Sequence, residues 1–283
     1  MLSSFPPAGW YRDPSGLVGT LRWWDGVRWA DALRPASSPP QIVHQGLGTA
    51  PPIPARAAWW GLLGFVVGEL LGGALAAGAA LATGSPISQV TGTPFVTLAG
   101  EVGLWGGLIG ACVVVSRRFG SGSLRRDYHL GVRPVDLGIG VLVAVGALIV
   151  DAIVALAFVH TRFQGTNTQL LAGQRHSGLG FVVVTLIAAV GAPFFEELFF
   201  RGLLRTALRA RIGPAGAIGA QAALFGLAHF QVGSGWRNVS VVVAIAGVGL
   251  LLGLAAERTG RLGAGMIGHG LFNLVVAVLT LAA

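Results

Sequence analysis

From residue 57 onward, long apolar runs alternate with short polar joins. The runs cover 57–82, 94–116, 135–159, 178–208, 214–231, 238–256 and 263–282. A helix that crosses a bilayer needs about 20 mostly apolar residues, so each run is a candidate span. The fourth is too long for one straight helix. Gly191-Ala192-Pro193 interrupts it, which predicts a kink or break there, with the following half running out toward the aqueous face. The fifth and sixth runs are short and are expected to tilt into the bundle. The pattern predicts an all-α polytopic membrane protein, a bundle of about seven or eight transmembrane helices.

The first 56 residues follow a different pattern. Residues 7–34 hold Trp10, Trp23, Trp24 and Trp29, four of the eight tryptophans in the chain. Asp25-Gly26 between Trp-rich flanks is a hairpin-turn signal. So short a unit needs its aromatic side chains to cluster. Residues 35–56 are rich in Pro, Ser and Gly and read as a flexible linker. The expected organisation is a small Trp-rich cytoplasmic unit at 7–34, a linker at 35–56, additional transmembrane helices at 57–129 and a membrane core at 130–282.

Composition agrees with membrane residence. Of 283 residues, 53% are hydrophobic and only 11% charged, where a soluble domain carries about 25%. The mean hydropathy is +0.72. The net charge is +8, and all 19 basic residues are arginine. They fall mainly in the joins between runs, which argues against a nucleic-acid-binding face. Arg117, Arg118, Arg125, Arg126 and Arg133 lie in or beside the 117–134 join, and Arg205, Arg209, Arg211, Arg258 and Arg261 in later ones. The alternate joins are poorer. An excess of arginine marks the cytoplasmic side, so the N-terminus is expected in the cytoplasm and the C-terminus outside, in a multi-pass protein of the cell membrane. No basic stretch followed by an apolar one opens the first 50 residues, so the first membrane helix is expected to direct targeting. Cys112, the single cysteine, reads as a small buried side chain.

Charged and titratable groups are costly at membrane depth and are kept there for function or for pairing. Three signatures qualify: Glu196-Glu197-x-x-x-Arg201, Phe225-x-x-x-His229 and His269-x-x-x-Asn273. Each spans i to i+4 and so places two residues on one helix face. Glu197 and Arg201 are an expected ion pair. Glu196 is turned about 100° away and is the candidate general base for activating water. His229 is a second group able to move protons, with Phe225 as a wall that excludes bulk water. His269 and Asn273 are expected as neutral donors aimed at a developing oxyanion. Glu69, Glu101 and Asp151 are further acids within the apolar runs with no assigned role.

These motifs, in this order on late membrane helices, resemble the CPBP family (CAAX protease and bacteriocin-processing, or Abi). The similarity covers roughly residues 130–282, and the flank Ala192-Pro193-Phe194-Phe195-Glu196-Glu197-Leu198-Phe199-Phe200-Arg201-Gly202 is typical of the family. The resemblance implies an intramembrane endopeptidase acting on a membrane-associated protein or peptide. It implies that Glu196 and His229 activate water, that His269 and Asn273 hold the oxyanion, and that Glu197, Arg201 and Phe225 support the site. No cofactor is expected. The alternative is a zinc-dependent enzyme in which Glu196, His229 and His269 bind the metal. The chain has no HExxH pair, and Asn273 suits an oxyanion better than zinc. A non-catalytic membrane scaffold or bacteriocin-immunity protein of the same family is a further alternative, and a proton-coupled transporter a third. Residues 7–34, with Pro7-Ala8-Gly9-Trp10-Tyr11-Arg12-Asp13-Pro14 and Arg22-Trp23-Trp24-Asp25-Gly26-Val27-Arg28-Trp29, resemble a Trp-rich domain of unknown function found at the N-termini of actinobacterial membrane proteins. A partner protein for this unit is expected, and no nucleic acid.

Overall fold

The computed structural model describes residues 6, 8–35, 53–85, 93–166, 168–174 and 176–282. The chain divides into two compact units, 1–49 and 50–283. Most of the expected linker, residues 36–52, lies outside the described residues. Its last residues are not linker-like: Ile53 is buried in the membrane unit's core, and Pro54 O accepts the first bond of the helix that follows.

In the first unit, β1 (Gly9–Arg12), β2 (Thr20–Trp24) and β3 (Trp29–Pro35) form an antiparallel meander in the order β1-β2-β3. Asp25 Oδ1 accepts from the N–H groups of Val27 and Arg28, and Gly26 has φ 104°, so the β2–β3 turn closes at Asp25-Gly26. The tryptophans cluster across the strands. Trp10 meets Trp23 edge-on at 5.4 Å, Trp24 tilts against Trp29 at 5.1 Å, and the Arg34 guanidinium lies 4.7 Å over Trp10. Aromatic contacts replace the conventional core that a unit this small cannot build.

The second unit is helical. α1 (Ala57–Ala82) and α2 (Pro94–Phe119) form a close hairpin. Glycines make this possible: a Cβ on Gly107 would fall 2.4 Å from Gly68 Cα. A short α3 (Leu124–Asp127) leads to α4 (Val135–Phe158) and, on the far side, α5 (Gln169–Gln174). The run from α6 (Gly178–Leu186) onward was expected to kink or break at Gly191-Ala192-Pro193. No break occurs at Gly191-Ala192-Pro193. The backbone stays helical but unwinds into π geometry at Ile187–Gly191 and again at Glu197–Leu204, with α7 (Ala192–Glu196) between. Wider winding absorbs the proline that would break a tight helix. A further interruption comes 20 residues later, inside α8 (Arg205–Ala228), at the join expected between the runs 178–208 and 214–231. Gly213 takes φ 71°, ψ 175°, and Pro214 starts the second half. A 3₁₀ turn (Val232–Asn238) then precedes α9 (Val239–Thr259) and α10 (Gly263–Ala282).

Six helical stretches among the described residues are long and apolar enough to cross a membrane, with 178–228 counted as one. The break at Gly213 divides that one, where the sequence reading had two spans. The outward faces of α1 and α4 carry exposed Leu, Ile and Val, as lipid-facing helices do. The fold is that of an all-α polytopic membrane protein.

The two ends of the bundle differ chemically. At one end Arg261 clasps Asp136, Arg205 and Arg209 share Glu257, and Asp127 gathers Ser116 and Ser121. At the other end Ser240 N–H donates to Phe163 O, and Gly165 N–H donates to Ser240 Oγ. Gly249 and Gly253 of α9 face α8, as a helix-packing surface requires, while Gly247 faces Val150 of α4.

Candidate active site

Glu197 and Arg201 sit at the centre of the membrane unit with no solvent-exposed side-chain surface. Arg201 Nη1 donates to Glu197 Oε1 at 2.9 Å. Arg201 also lies 4.1 Å over the Phe225 ring and approaches Gly249 O, which Gln221 Nε2 reaches at 2.9 Å. Glu197 Oε2 and Arg201 Nε are buried with no hydrogen-bond partner among the described residues, so the pair rests on its mutual bond and the Phe225 ring. Gln221, fully buried on α8, donates to the same carbonyl that Arg201 approaches and was not singled out from the sequence; a lone glutamine in an apolar run was the available signal. Gly265 completes the packing, since a Cβ there would come 2.8 Å from Glu197 Oε2.

His269 on α10 stands between the two glutamates. Its Nδ1 lies 3.1 Å from Glu197 Oε1, and its Nε2 lies 3.8 Å from Glu196 Oε2. Glu197, paired with Arg201, is an acceptor only, so the proton on that side belongs to His269 Nδ1. The neutral ring therefore offers a lone pair at Nε2, and only the doubly protonated ring donates there. His229 caps α8, and its Nδ1 is 2.8 Å from Phe225 O. A carbonyl only accepts, so Nδ1 carries the proton and Nε2 is the basic atom of the neutral ring. The buried Phe225 ring lies edge-on to both imidazoles, 4.8 Å from His229 and 5.7 Å from His269.

Asn273, one turn beyond His269, is engaged by backbone: its Nδ2 donates to Ala188 O at 2.7 Å. Glu196 Oε2 is buried without a hydrogen-bond partner among the described residues. Glu196, Phe225, His229, His269 and Asn273 all line one cavity of about 520 Å³. Glu197 and Arg201 lie behind its wall. Two of the unassigned acids, Glu101 of α2 and Asp151 of α4, also line it. Their sequence signal was only an acid inside an apolar run; that they face this cavity depends on how α2 and α4 pack. Glu69 is exposed on α1.

The cavity reaches toward Gln164, Thr166, Thr168 and Gln231, at the end of the bundle away from the arginine clusters. Its wall is otherwise apolar, from Val184, Ile187, Val241, Ile245, Val248 and Phe272. A site of this kind presents three carboxyl side chains, two imidazoles and an amide against a largely apolar wall, where charge interactions are strong. Among the described residues no three His, Cys, Asp or Glu side chains converge closely enough to share a metal ion.

Residues 178–275 contain all three motifs, and they match the family described as type II CAAX prenyl endopeptidase Rce1-like. This segment is similar to the Rce1-like family. The Rce1-like segment spans α6 through most of α10, so it includes both π-wound stretches and every motif residue, while Glu101 and Asp151 come from outside it. The match supports the CPBP resemblance carried by those motifs. Residues 8–41 match DUF2510, a family of unknown function. No curated protein and no solved structure matches the chain.

Proposed function

We propose that the protein is an intramembrane endopeptidase of the CPBP type, hydrolysing peptide bonds with water activated by Glu196 and His229. The observation that carries this reading is the meeting of Glu196, His229, His269 and Asn273 on one buried cavity inside an Rce1-like segment. His229 Nε2 accepts from the water and orients it, and Glu196 removes its proton as the oxygen attacks the carbonyl carbon. The carbonyl oxygen becomes an oxyanion, held by Nε2–H of protonated His269 and by an N–H of Asn273. As the C–N bond breaks, Glu196 returns the proton to the leaving amine, giving one carboxyl and one amino product. Glu197 fixes His269 through Nδ1, and Arg201 balances the charge of Glu197. The side chains alone supply every step.

The substrate is a membrane-associated protein or peptide. The protein is proposed to lie in the cell membrane with its Trp-rich unit in the cytoplasm, because that places the arginine-rich end inside. The Trp-rich unit is a candidate site for a partner protein.

The test is to express wild type and Glu196→Gln at equal levels and map new protein termini in the membrane fraction. Termini present with wild type and absent with Glu196→Gln are expected. Identical terminus profiles, with both proteins folded, would defeat the peptidase assignment and favour the scaffold or immunity reading.

A further inference from the structure

Asn273 is held by a carbonyl whose partner in the local helical register is residue 193, a proline. At Ile187–Gly191 the helix is π-wound, with bonds running five residues back: Ala192 N–H donates to Ile187 O. In that register the next carbonyl, Ala188 O, looks to residue 193. Pro193 has no N–H. A buried carbonyl left open in an apolar bundle is costly, and the donor that reaches it is Nδ2 of Asn273, at 2.7 Å. The identity of the amide atom follows from chemistry, since only the NH₂ end can face a carbonyl.

The surroundings hold this arrangement in place. A Cβ on Gly270 would fall 2.5 Å from Ala189 O, so α10 lies with its backbone against the π-wound segment one turn before Asn273. On another side, a Cβ on Gly191 would fall 2.3 Å from the Trp105 ring, which also stacks on Phe195 at 4.7 Å. Pro193 itself is buried.

We infer that Pro193 is a positioning residue for Asn273: by lacking an N–H it leaves Ala188 O to hold one hydrogen of the Asn273 amide, so that the other is committed to the cavity. This rests on the oxyanion reading of Asn273 and adds the device that orients it. The asparagine amide has two N–H bonds in one plane. Fixing one of them removes rotation of the side chain and pre-sets the second as a donor, at no reorganisation cost when charge develops.

The test is Pro193→Ala, with Pro193→Val as a second variant of similar side-chain volume. Both restore an N–H that competes for Ala188 O. The chain has only three asparagines, Asn167, Asn238 and Asn273, so asparagine-selective ¹⁵N labelling in micelles gives three side-chain NH₂ pairs, and Asn273→Ala identifies the relevant one. In both proline variants the Asn273 pair is expected to move, its bonded proton shifting upfield. On a reporter peptide drawn from the Glu196-dependent cleavages, kcat is expected to fall up to about a hundredfold with KM little changed. Pro193→Ala combined with Asn273→Ala is expected to be no slower than Asn273→Ala alone. An unmoved Asn273 signal in both variants overturns the inference regardless of activity. A moved signal with additive losses of kcat also overturns it, by separating the contact from the chemistry. If Asn273→Ala leaves kcat intact while Glu196→Gln abolishes cleavage, the oxyanion reading itself is what fails.

Discussion

His269 Nδ1 and Arg201 Nη1 meet the same oxygen, Glu197 Oε1, at 3.1 and 2.9 Å. One carboxylate oxygen thus ties α10 to the second π-wound segment and sets which nitrogen of His269 faces Glu196. A buried ion pair that looks structural in isolation also sets the orientation of the imidazole next to Glu196.

The first prediction concerns that pair. Arg201→Ala removes the counter-charge of a fully buried carboxylate. Breaking one partner of a buried pair costs about 3–5 kcal/mol. A large fall in the thermal midpoint of the detergent-solubilised protein is expected, measured by scanning fluorimetry or circular dichroism. Arg201→Lys should be only a partial rescue, because the ammonium cannot serve Glu197 and Gly249 O with the planar fork of arginine. A midpoint unchanged in Arg201→Ala would mean the pair holds nothing.

The second concerns Glu196. Its Oε2 is buried with no partner among the described residues, so Glu196→Gln removes little native contact. Turnover of a reporter peptide is expected to drop by at least about a hundredfold, while the thermal midpoint stays within a few degrees. Equal turnover in variant and wild type would remove Glu196 from the chemistry.

Asp127 yields a prediction about pH. Burial alone would raise its carboxyl, but hydrogen bonds from Ser116 Oγ, Ser121 N–H and Ser121 Oγ, with the nearby Arg126 charge, outweigh burial and hold it below the ordinary aspartate value of 3.8. A carboxyl whose folded value is depressed adds stability above its unfolded value and loses that contribution as pH falls through the folded one. The corner between α2 and α3 should therefore hold at neutral pH and loosen in acid, below about pH 4. Hydrogen exchange at residues 116–128 as a function of pH reads this directly. Asp127→Asn should show faster exchange at neutral pH and a flatter acid dependence; an unchanged profile would show that Asp127 does not set it.

Orientation is testable because the single native cysteine, Cys112, is fully buried. Cysteines placed at exposed Thr166 and exposed Arg125 report on opposite ends of the bundle. In intact cells a membrane-impermeant maleimide is expected to label Thr166→Cys and to reach Arg125→Cys only after permeabilisation. The reverse pattern would invert the proposed topology and place the cavity mouth in the cytoplasm.

Much of the membrane unit was readable along the chain because apolar length is a local property. The runs at 57–82 and 263–282 coincide with α1 and α10, and the i, i+4 spacing of Glu197 with Arg201 and of Phe225 with His229 survives in contacts. A kink or break was expected at Gly191-Ala192-Pro193, and there the helix changes its winding without ending. Gly191-Ala192-Pro193 is a strong helix-breaking signal, yet π winding and a donor from α10 absorb it. At Gly213-Pro214, a comparable signal, Gly213 leaves helical geometry.

The sequence by itself determined that this is an all-α membrane protein with a Trp-rich appendage, and which few polar residues its apolar helices carry. Hydropathy and helical periodicity depend only on neighbours along the chain, so those conclusions needed no packing. Tertiary structure alone decided that His269 bridges two glutamates, that Glu101 and Asp151 share the cavity with Glu196, and that Asn273 is held by Ala188. Those relationships join residues as many as 95 positions apart. They depend on the rotation and depth of each helix against the others, which side-chain volume, close-packed glycines and a π turn set together.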